Sequence, residues 1–271
     1  MGKLRYYIPN AVTSVGIAFA ALSVQRAVEG QYRSAAWWAM YCLLTDKIDG
    51  SIARRLNASS AFGAQMDSFA DFFSYGVAPA TFLYAFFANT PSAGWTDPLH
   101  RAILAVLVLL LVVCVAARLA RFNVTHDVHG GGRFFFGWPT TYNGGMLAAL
   151  FTLALKYGDP AWSAADPSSD HLQLLGGVRL DGLMRALPWL LIPASYSMVS
   201  KLRMPKVTST GRRWLDVLMY SNMIAGYSCG LLRRLPEYLV AGGLSYMLIS
   251  LRYHLVDKEA RAATLPPLFP D

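Results

Sequence analysis

Charged residues are scarce in this sequence. Asp, Glu, Lys and Arg make up 15% of its 271 residues, whereas hydrophobic residues make up 55%. A soluble domain carries about 25% charged residues, so this composition argues against a soluble protein. The sequence also lacks the segments of about ten residues with alternating polarity that a membrane β-barrel requires. The remaining class is an α-helical membrane protein, whose helices need about 20 apolar residues each.

Cysteine is also rare. The three cysteines, Cys42, Cys114 and Cys229, all lie in apolar segments and have no CxxC or histidine spacing. The sequence therefore predicts neither a disulfide framework nor a zinc site. The N-terminus carries Lys3 and Arg5, but no small-residue cleavage site precedes the first apolar segment. We expect this segment to remain as a membrane anchor rather than to be removed as a signal peptide.

Basic residues outnumber acidic residues by 24 to 16, which gives a formal net charge of +8. Nucleic acid is one class of partner for such a charge. The basic residues cluster at the ends of apolar segments, however, where the positive-inside rule and anionic lipid headgroups account for them. We therefore expect contact with a lipid bilayer and no nucleic-acid partner.

The apolar segments predict an all-α, polytopic transmembrane bundle of about six to eight helices with a cytoplasmic N-terminus. The eight helices that can be delimited are Ala11–Val28, Ser34–Arg55, Gly63–Ala88, Arg101–Arg121, Thr141–Tyr157, Arg185–Lys201, Trp214–Leu231 and Tyr238–His254. Arg233 and Arg234 break the charge pattern, and we interpret them as snorkelling side chains or as part of a contact. We predict one domain over residues 1–256 and a cytoplasmic tail over residues 257–271.

Four aspartates stand near the ends of two adjacent apolar helices. Asp46 and Asp49 are three residues apart, and Asp67 and Asp71 are four apart. Each pair therefore projects from one face of its helix, and the two pairs can meet across the interface between the helices. A single aspartate at a membrane boundary is usually a solvated helix-end charge. Four of them on two neighbouring helices argue for a site.

Ionised carboxylates at this depth need a positive partner. Lys47, Arg54 and Arg55 are the only basic residues nearby in the sequence, and two of them lie at the interface. Divalent cations that prefer oxygen ligands, Mg²⁺ or Mn²⁺, would supply the missing charge. Two such ions suit displacement at phosphorus, because they bind phosphate oxygens and neutralise the leaving group.

Two questions stay open at this level. Small residues lie on or beside the face of the aspartates, at Gly50, Ala53 and Gly63. They could let a base or a pyrophosphate approach the backbone, or they could simply let helices pack closely. Carboxylates inside a membrane also mark ion paths, so an ion or metal transporter is the alternative class. The position of all four aspartates towards one membrane face argues against it.

The stretch Asp46–Asp71 resembles the signature of the CDP-alcohol phosphotransferase family, D-x-x-D-G-x-x-A-R-x8-G-x3-D-x3-D, at every fixed position. The resemblance implies that the four aspartates hold two divalent ions and that Asp71 is the base towards the acceptor hydroxyl. It also implies a nucleotide site formed by Gly50, Ala53, Arg54 and Gly63. A homodimer is usual in this family.

A second resemblance concerns the start of the first helix. Pro9–Thr13 looks like the family's Pro-Asn-x-x-Thr segment, which implies that Asn10 and Thr13 face the nucleotide. The alternative for these polar residues is an ordinary helix N-cap. We expect an integral protein of the inner (cytoplasmic) membrane with its active site on the cytoplasmic side.

Several further segments resemble the phosphatidylserine synthases of the family: Asp71–Ala80, Ala117–Asn123, Phe136–Pro139 and Tyr196–Lys201. They imply transfer of a phosphatidyl group from CDP-diacylglycerol to L-serine with release of CMP. The segment Thr140–Gly144 departs from that subfamily, which keeps other acceptors open: inositol phosphate, glycerol phosphate or choline.

Two arginines one helical turn apart, Arg118 and Arg121, stand at the cytoplasmic end of the predicted fourth helix. Guanidinium groups there could bind the carboxylate of serine or the phosphate of an acidic acceptor. The alternative is that both residues act only as positive-inside anchors.

Overall fold

The computed structural model describes residues 4–129, 134–158, 174–176, 178–205 and 213–256. The helices in this part are α1 (Leu4–Val28), α2 (Tyr32–Arg55), α3 (Ala61–Phe72), α4 (Ala78–Asn89), α5 (Pro98–His129), α6 (Thr140–Gly158), α7 (Asp181–Ala186), α8 (Leu191–Val199), α9 (Arg213–Leu231) and α10 (Pro236–Val256). The predicted all-α bundle is therefore confirmed. The predicted tail at 257–271 lies outside the described residues, and the domain boundary at 256 stays a prediction.

The structure adds two short strands that the sequence analysis did not predict. β1 (Phe134–Phe136) and β2 (Arg203–Pro205) pair antiparallel, with Phe135 opposite Met204. Main-chain bonds continue this pairing beyond β1, since the Gly137 N–H donates to the carbonyl of Leu202 over 2.7 Å. The pair joins the chain before α6 to the chain after α8.

Two predicted α-helices contain a turn of another helix type. The predicted helix Gly63–Ala88 corresponds to α3, a π-turn at Phe73–Val77 and α4, which follow one another without a break. The predicted helix Arg185–Lys201 corresponds to α7, a 3₁₀ turn at Leu187–Leu190 and α8. Pro188 lies in that turn, where it cannot donate a main-chain hydrogen bond and so disfavours a regular α-helix.

Within the described residues, three helices are long and apolar enough to cross a membrane: Arg5–Val28, Pro98–Val124 and Pro236–Val256. α2 spans 24 residues, but its second half carries Asp46, Lys47 and Asp49. These charges lower its hydropathy. Asp46 and Asp49, two of the aspartates of the candidate site, therefore make α2 a less apolar membrane segment.

Close packing of α1 against α2 places the site. Ser23 of α1 donates to the carbonyl of Ala35 over 2.7 Å, and both residues are fully buried. Glycine at position 16 allows α1 and α2 to approach closely. A Cβ there would lie only 2.8 Å from the Thr45 hydroxyl oxygen of α2. α1 also contacts α3, so it touches both helices that carry the aspartates.

Arg233, which broke the predicted charge pattern, lines a contact. Its Nε donates to the Tyr41 hydroxyl over 2.8 Å, and its guanidinium carbon lies 5.6 Å from the centre of the Trp38 ring. Cation–π contact of this kind stabilises a charge next to aromatic side chains. The residue therefore ties the link between α9 and α10 to α2.

Candidate active site

A short turn brings α3 back to the end of α2. α2 ends at Arg55, and the Ala58 N–H donates to the carbonyl of Ala53 over 2.9 Å. Asn57 has a φ of 47°, a left-handed conformation that asparagine tolerates better than most residues. Ser60 then caps α3, because its hydroxyl accepts from the Gly63 N–H over 3.0 Å.

The predicted meeting of the aspartates occurs. One carboxylate oxygen each from Asp46, Asp49 and Asp67 lies within 4.8 Å of the other two. Asp71 lines the same cavity. Three carboxylates this close repel one another unless a cation or protons intervene. Donors that are all carboxylate oxygens fit a divalent cation with oxygen preference, so the cluster could bind one.

Asp49 is held by two donors. The Thr13 hydroxyl donates to its Oδ2 over 2.7 Å, and the Gly50 N–H donates to its Oδ1 over 2.6 Å. The N-cap alternative for Asn10 and Thr13 is wrong, because α1 begins at Leu4 and both residues lie inside the helix. Thr13 instead orients an aspartate of the cluster.

Asn10 also faces the second aspartate helix. A Cβ on Gly63 would lie 3.1 Å from Asn10 Oδ1 and 3.2 Å from the Ser60 hydroxyl oxygen. A side chain at Gly63 would therefore crowd both polar groups. Glycine at this position leaves room for the side chains of Asn10 and Ser60.

The other residues of the predicted nucleotide site lie together on α2. The Arg54 side chain is close to Gly50, since a Cβ there would lie 3.4 Å from an Arg54 guanidinium nitrogen. Arg54 is exposed and Ala53 is partly buried. The structure thus places these residues beside the aspartate cluster, and their role as nucleotide ligands stays a prediction.

Arg118 reaches the aspartates through a residue that the sequence analysis did not assign to the site. Its side chain is buried, at 6% exposure, and donates to the hydroxyl oxygen of Thr140 over 3.3 Å. Thr140 in turn donates to Asp71 Oδ2 over a long 3.5 Å. Thr140 begins the segment that departs from the phosphatidylserine synthase pattern. That departure left the acceptor open in the sequence analysis, and it is the feature of the sequence that singles out the segment containing Thr140.

Arg121 has different partners. Its guanidinium donates to the carbonyls of Val199, Met198 and Phe136 over 3.0, 3.0 and 3.2 Å. These bonds connect α5 to the end of α8 and to β1. The structure therefore separates the two arginines that the sequence analysis treated as a pair, and the acceptor prediction is retained for Arg118 alone.

Three segments singled out separately in the sequence meet around Arg121. The Trp138 N–H donates to the carbonyl of Ser197 over 3.0 Å. Gly137 has a φ of +72°, and a Cβ there would lie 2.1 Å from the Met198 carbonyl oxygen. Only glycine fits this approach. The junction fixes the start of α6, and hence Thr140, relative to α5.

The floor of the cavity contains Tyr75 of the π-turn. Its side chain is 2% exposed, and its hydroxyl has no hydrogen-bond partner among the described residues. π-turns occur frequently at functional sites. Its position four residues after Asp71 places Tyr75 one turn deeper along the same run of helix.

Comparison with known proteins extends this picture. The profile of the CDP-alcohol phosphatidyltransferase family matches residues 6–166, which include the aspartate cluster, Arg118 and Thr140. A CDP-diacylglycerol–serine O-phosphatidyltransferase of Mycobacterium leprae is 34% identical over 163 residues, which are 58% of this chain and 50% of the relative. The corresponding protein of Helicobacter pylori strain 26695 is 35% identical over 155 residues, 56% of this chain and 60% of the relative.

An archaetidylserine synthase of Methanothermobacter thermautotrophicus is 31% identical over 134 residues, which are 49% of this chain and 52% of the relative. The matched region thus spans about half of each of these relatives, or somewhat more.

Proposed function

The chain belongs to the CDP-alcohol phosphatidyltransferase family, and from this premise we propose that it transfers a phosphatidyl group from CDP-diacylglycerol to L-serine and releases CMP. The observation that carries the proposal is the aspartate cluster: oxygens of Asp46, Asp49 and Asp67 within 4.8 Å of one another, in a cavity shared with Asp71. The family match favours this chemistry over the ion transporter considered as the alternative class.

The four aspartates would hold two divalent ions, Mg²⁺ or Mn²⁺. Bound there, such ions would polarise the phosphoryl oxygens and neutralise charge on the departing CMP. The chain's own contribution is orientation. Thr13 and the Gly50 N–H fix both oxygens of Asp49, and fixed ligands are what a metal site needs from its surroundings.

The nucleotide of CDP-diacylglycerol would bind at the mouth of the cavity. Asn10 lies next to Gly63, and the Arg54 guanidinium lies beside Gly50. Small residues allow the base or pyrophosphate to approach the main chain, and Arg54 offers a charge for phosphate oxygens. This assignment follows the family resemblance, and the neighbourhood of these residues supports it.

Asp71 would accept the proton of the serine hydroxyl. The serine oxygen forms a bond to the phosphorus that carries diacylglycerol, the bond from that phosphorus to the CMP oxygen breaks, and CMP leaves with the electron pair. A guanidinium can only donate, so the bond from Arg118 leaves the Thr140 proton free to point at Asp71 Oδ2. Asp71 Oδ1 then remains to accept from serine.

Serine is favoured as acceptor for two reasons. Relatives similar to this chain are named CDP-diacylglycerol–serine O-phosphatidyltransferases. Arg118 is linked to Asp71 through the Thr140 hydroxyl, and a guanidinium in this position could bind a carboxylate. Inositol phosphate and glycerol phosphate carry anionic groups that would also suit Arg118, whereas choline would not.

We also place the protein in the inner (cytoplasmic) membrane as a homodimer, with the N-terminus and the active site on the cytoplasmic side. The side assignment rests on basic residues that accompany the cluster, Arg54, Arg55 and Arg118, since the positive-inside rule puts such residues in the cytoplasm. The homodimer rests on the family resemblance.

Purified protein in mixed micelles with CDP-diacylglycerol, Mg²⁺ and one alcohol at a time tests the proposal. We expect CMP and a serine-containing lipid with L-serine, and neither product from Asp71→Asn. The panel would include inositol phosphate, glycerol phosphate and choline. Turnover with one of these alcohols and none with serine would reject serine as the acceptor but keep the phosphatidyl transfer. Absence of CMP with every alcohol would reject the phosphatidyl transfer itself.

A further inference from the structure

Tyr75 is anchored everywhere except at its hydroxyl. Its ring packs among buried apolar residues, including Ala20, Cys42 and Ala78. Its other side is closed by α6, because a Cβ on Gly144 would lie 2.7 Å from Tyr75 Cδ1 and 3.0 Å from its Cα. The side chain therefore has little room to move, and the position of its hydroxyl is set by packing.

That hydroxyl is buried, and no described residue accepts or donates a hydrogen bond to it. Several other buried polar atoms of the described residues share this property, but among them Tyr75 is the one that lines the aspartate cavity. A buried hydroxyl without a partner lowers the stability of the folded state. An unpaired polar group in a native structure calls for an explanation, and a ligand that completes the bond is one.

We propose that the Tyr75 hydroxyl is a substrate-binding group that hydrogen bonds to an oxygen at the reaction centre. Two substrates could supply that oxygen: the acceptor alcohol, whose hydroxyl lies beside Asp71 in the proposed mechanism, and the phosphoryl group of the CDP-lipid. This inference rests on the proposed function, because it takes the aspartate cavity as the reaction site. It assigns a role to the π-turn, which positions Tyr75 below the carboxylates.

Under this proposal, the substitution Tyr75→Phe should raise the stability of the free protein and lower its activity. In Tyr75→Phe, the free protein loses an unpaired buried hydroxyl, so its Tm in detergent should rise, by about 2–4 °C. The kcat/KM should fall about tenfold or more, because the bond to the reacting oxygen is lost. A tyrosine whose hydroxyl served the fold alone would show a lower Tm after the same substitution.

Tyr142→Phe is the matched control. Tyr142 is partly buried, and its hydroxyl donates to the Gly243 carbonyl over 2.8 Å. Its replacement should lower Tm and leave kcat/KM within about twofold of the parent, since the bond lost joins α6 to α10.

Two measurements identify the partner of the hydroxyl. A raised KM for the alcohol with unchanged KM for CDP-diacylglycerol assigns the bond to the acceptor. A smaller rise in Tm on adding CDP-diacylglycerol, compared with the parent, assigns it to the phosphoryl group.

Unchanged kcat/KM in Tyr75→Phe, or a lower Tm of the free variant, would overturn the proposal. Failure of the serine assignment is distinguishable, because the parent protein would then be inactive with serine. Tyr75→Phe would in that case be measured with the alcohol that does react, and the Tm of the free protein and its rise with CDP-diacylglycerol depend on no acceptor.

Discussion

Thr13 and Asp49 lie 36 residues apart and are joined by a hydrogen bond of 2.7 Å between the threonine hydroxyl and Asp49 Oδ2. Asp49 is buried, at 6% exposure, and its other oxygen accepts from the Gly50 N–H. α1 therefore controls the orientation of one carboxylate of the cluster, although it contributes no aspartate.

Thr13→Val should lower activity at limiting Mg²⁺ by about tenfold or more, because loss of a partner that orients a metal ligand typically weakens metal binding or activity by 10–100-fold. Thr13→Ser should recover most of the loss, since it keeps the hydroxyl. Ser14→Ala is the control, because the Ser14 hydroxyl is exposed and, among the described residues, donates to the carbonyl of Asn10 within its own helix. Equal Mg²⁺ dependence in Thr13→Val and the parent would contradict the role.

Asp67→Asn should abolish turnover while the protein remains folded and inserted. The substitution keeps the volume of the side chain but removes one charge from the three clustered carboxylates. Asp97→Asn is the matched control, because Asp97 is an exposed loop residue that bonds to His100. CMP release and size-exclusion profiles of both variants test this, and activity of Asp67→Asn within a few-fold of the parent would reject the two-ion site.

Chelation should remove activity, and Mg²⁺ or Mn²⁺ should restore it. The described cluster offers carboxylate oxygens, which suit these ions. Calcium is expected to bind without supporting turnover, because its looser coordination geometry suits in-line transfer less well. Dialysis against EDTA followed by titration with each ion provides the measurement. Full activity after exhaustive chelation would exclude a metal requirement.

Arg118→Lys and Arg121→Lys should have different effects on the serine KM and on Tm. Arg118→Lys should raise the KM for serine about tenfold and change the KM for CDP-diacylglycerol little, because lysine loses the bidentate fork. Arg121→Lys should lower Tm and leave the serine KM near the parent value, because its bonds go to three carbonyls of the α8 and β1 junction. A raised serine KM in Arg121→Lys together with an unchanged serine KM in Arg118→Lys would contradict these separate roles.

Gly144→Ala should destabilise the protein by about 1–3 kcal/mol, since a Cβ would press on Tyr75, including its main-chain Cα at 3.0 Å. Gly242→Ala in α10 is the control, because no atom of the described residues lies within 4 Å of a Cβ there. That change should be neutral or slightly stabilising, because alanine favours helix over glycine. Thermal unfolding of both variants in the same detergent checks the prediction, which similar Tm values would contradict.

Some features of the site were predictable because they depend on short-range periodicity. The spacing of Asp46 and Asp49, and of Asp67 and Asp71, places each pair on one face of a helix. The two positions Arg118 and Arg121 were predictable as helix-end charges but not as separate roles. They point only about 60° apart around the helix axis. Arg118 contacts the start of α6 and Arg121 contacts the end of α8, and these partners depend on where the two helices pack around α5.

The sequence by itself determined the structural class of this protein and predicted its chemistry. Its low content of charged residues excluded a soluble domain, and the spacing of four aspartates indicated a metal-dependent site, because composition and helical periodicity are local properties. Tertiary structure alone decided which side chain each residue around that site contacts. Thr13 with Asp49, Thr140 with Asp71, and Gly144 with Tyr75 are contacts between residues far apart in the chain. Such contacts follow from how whole helices pack, which no local pattern encodes.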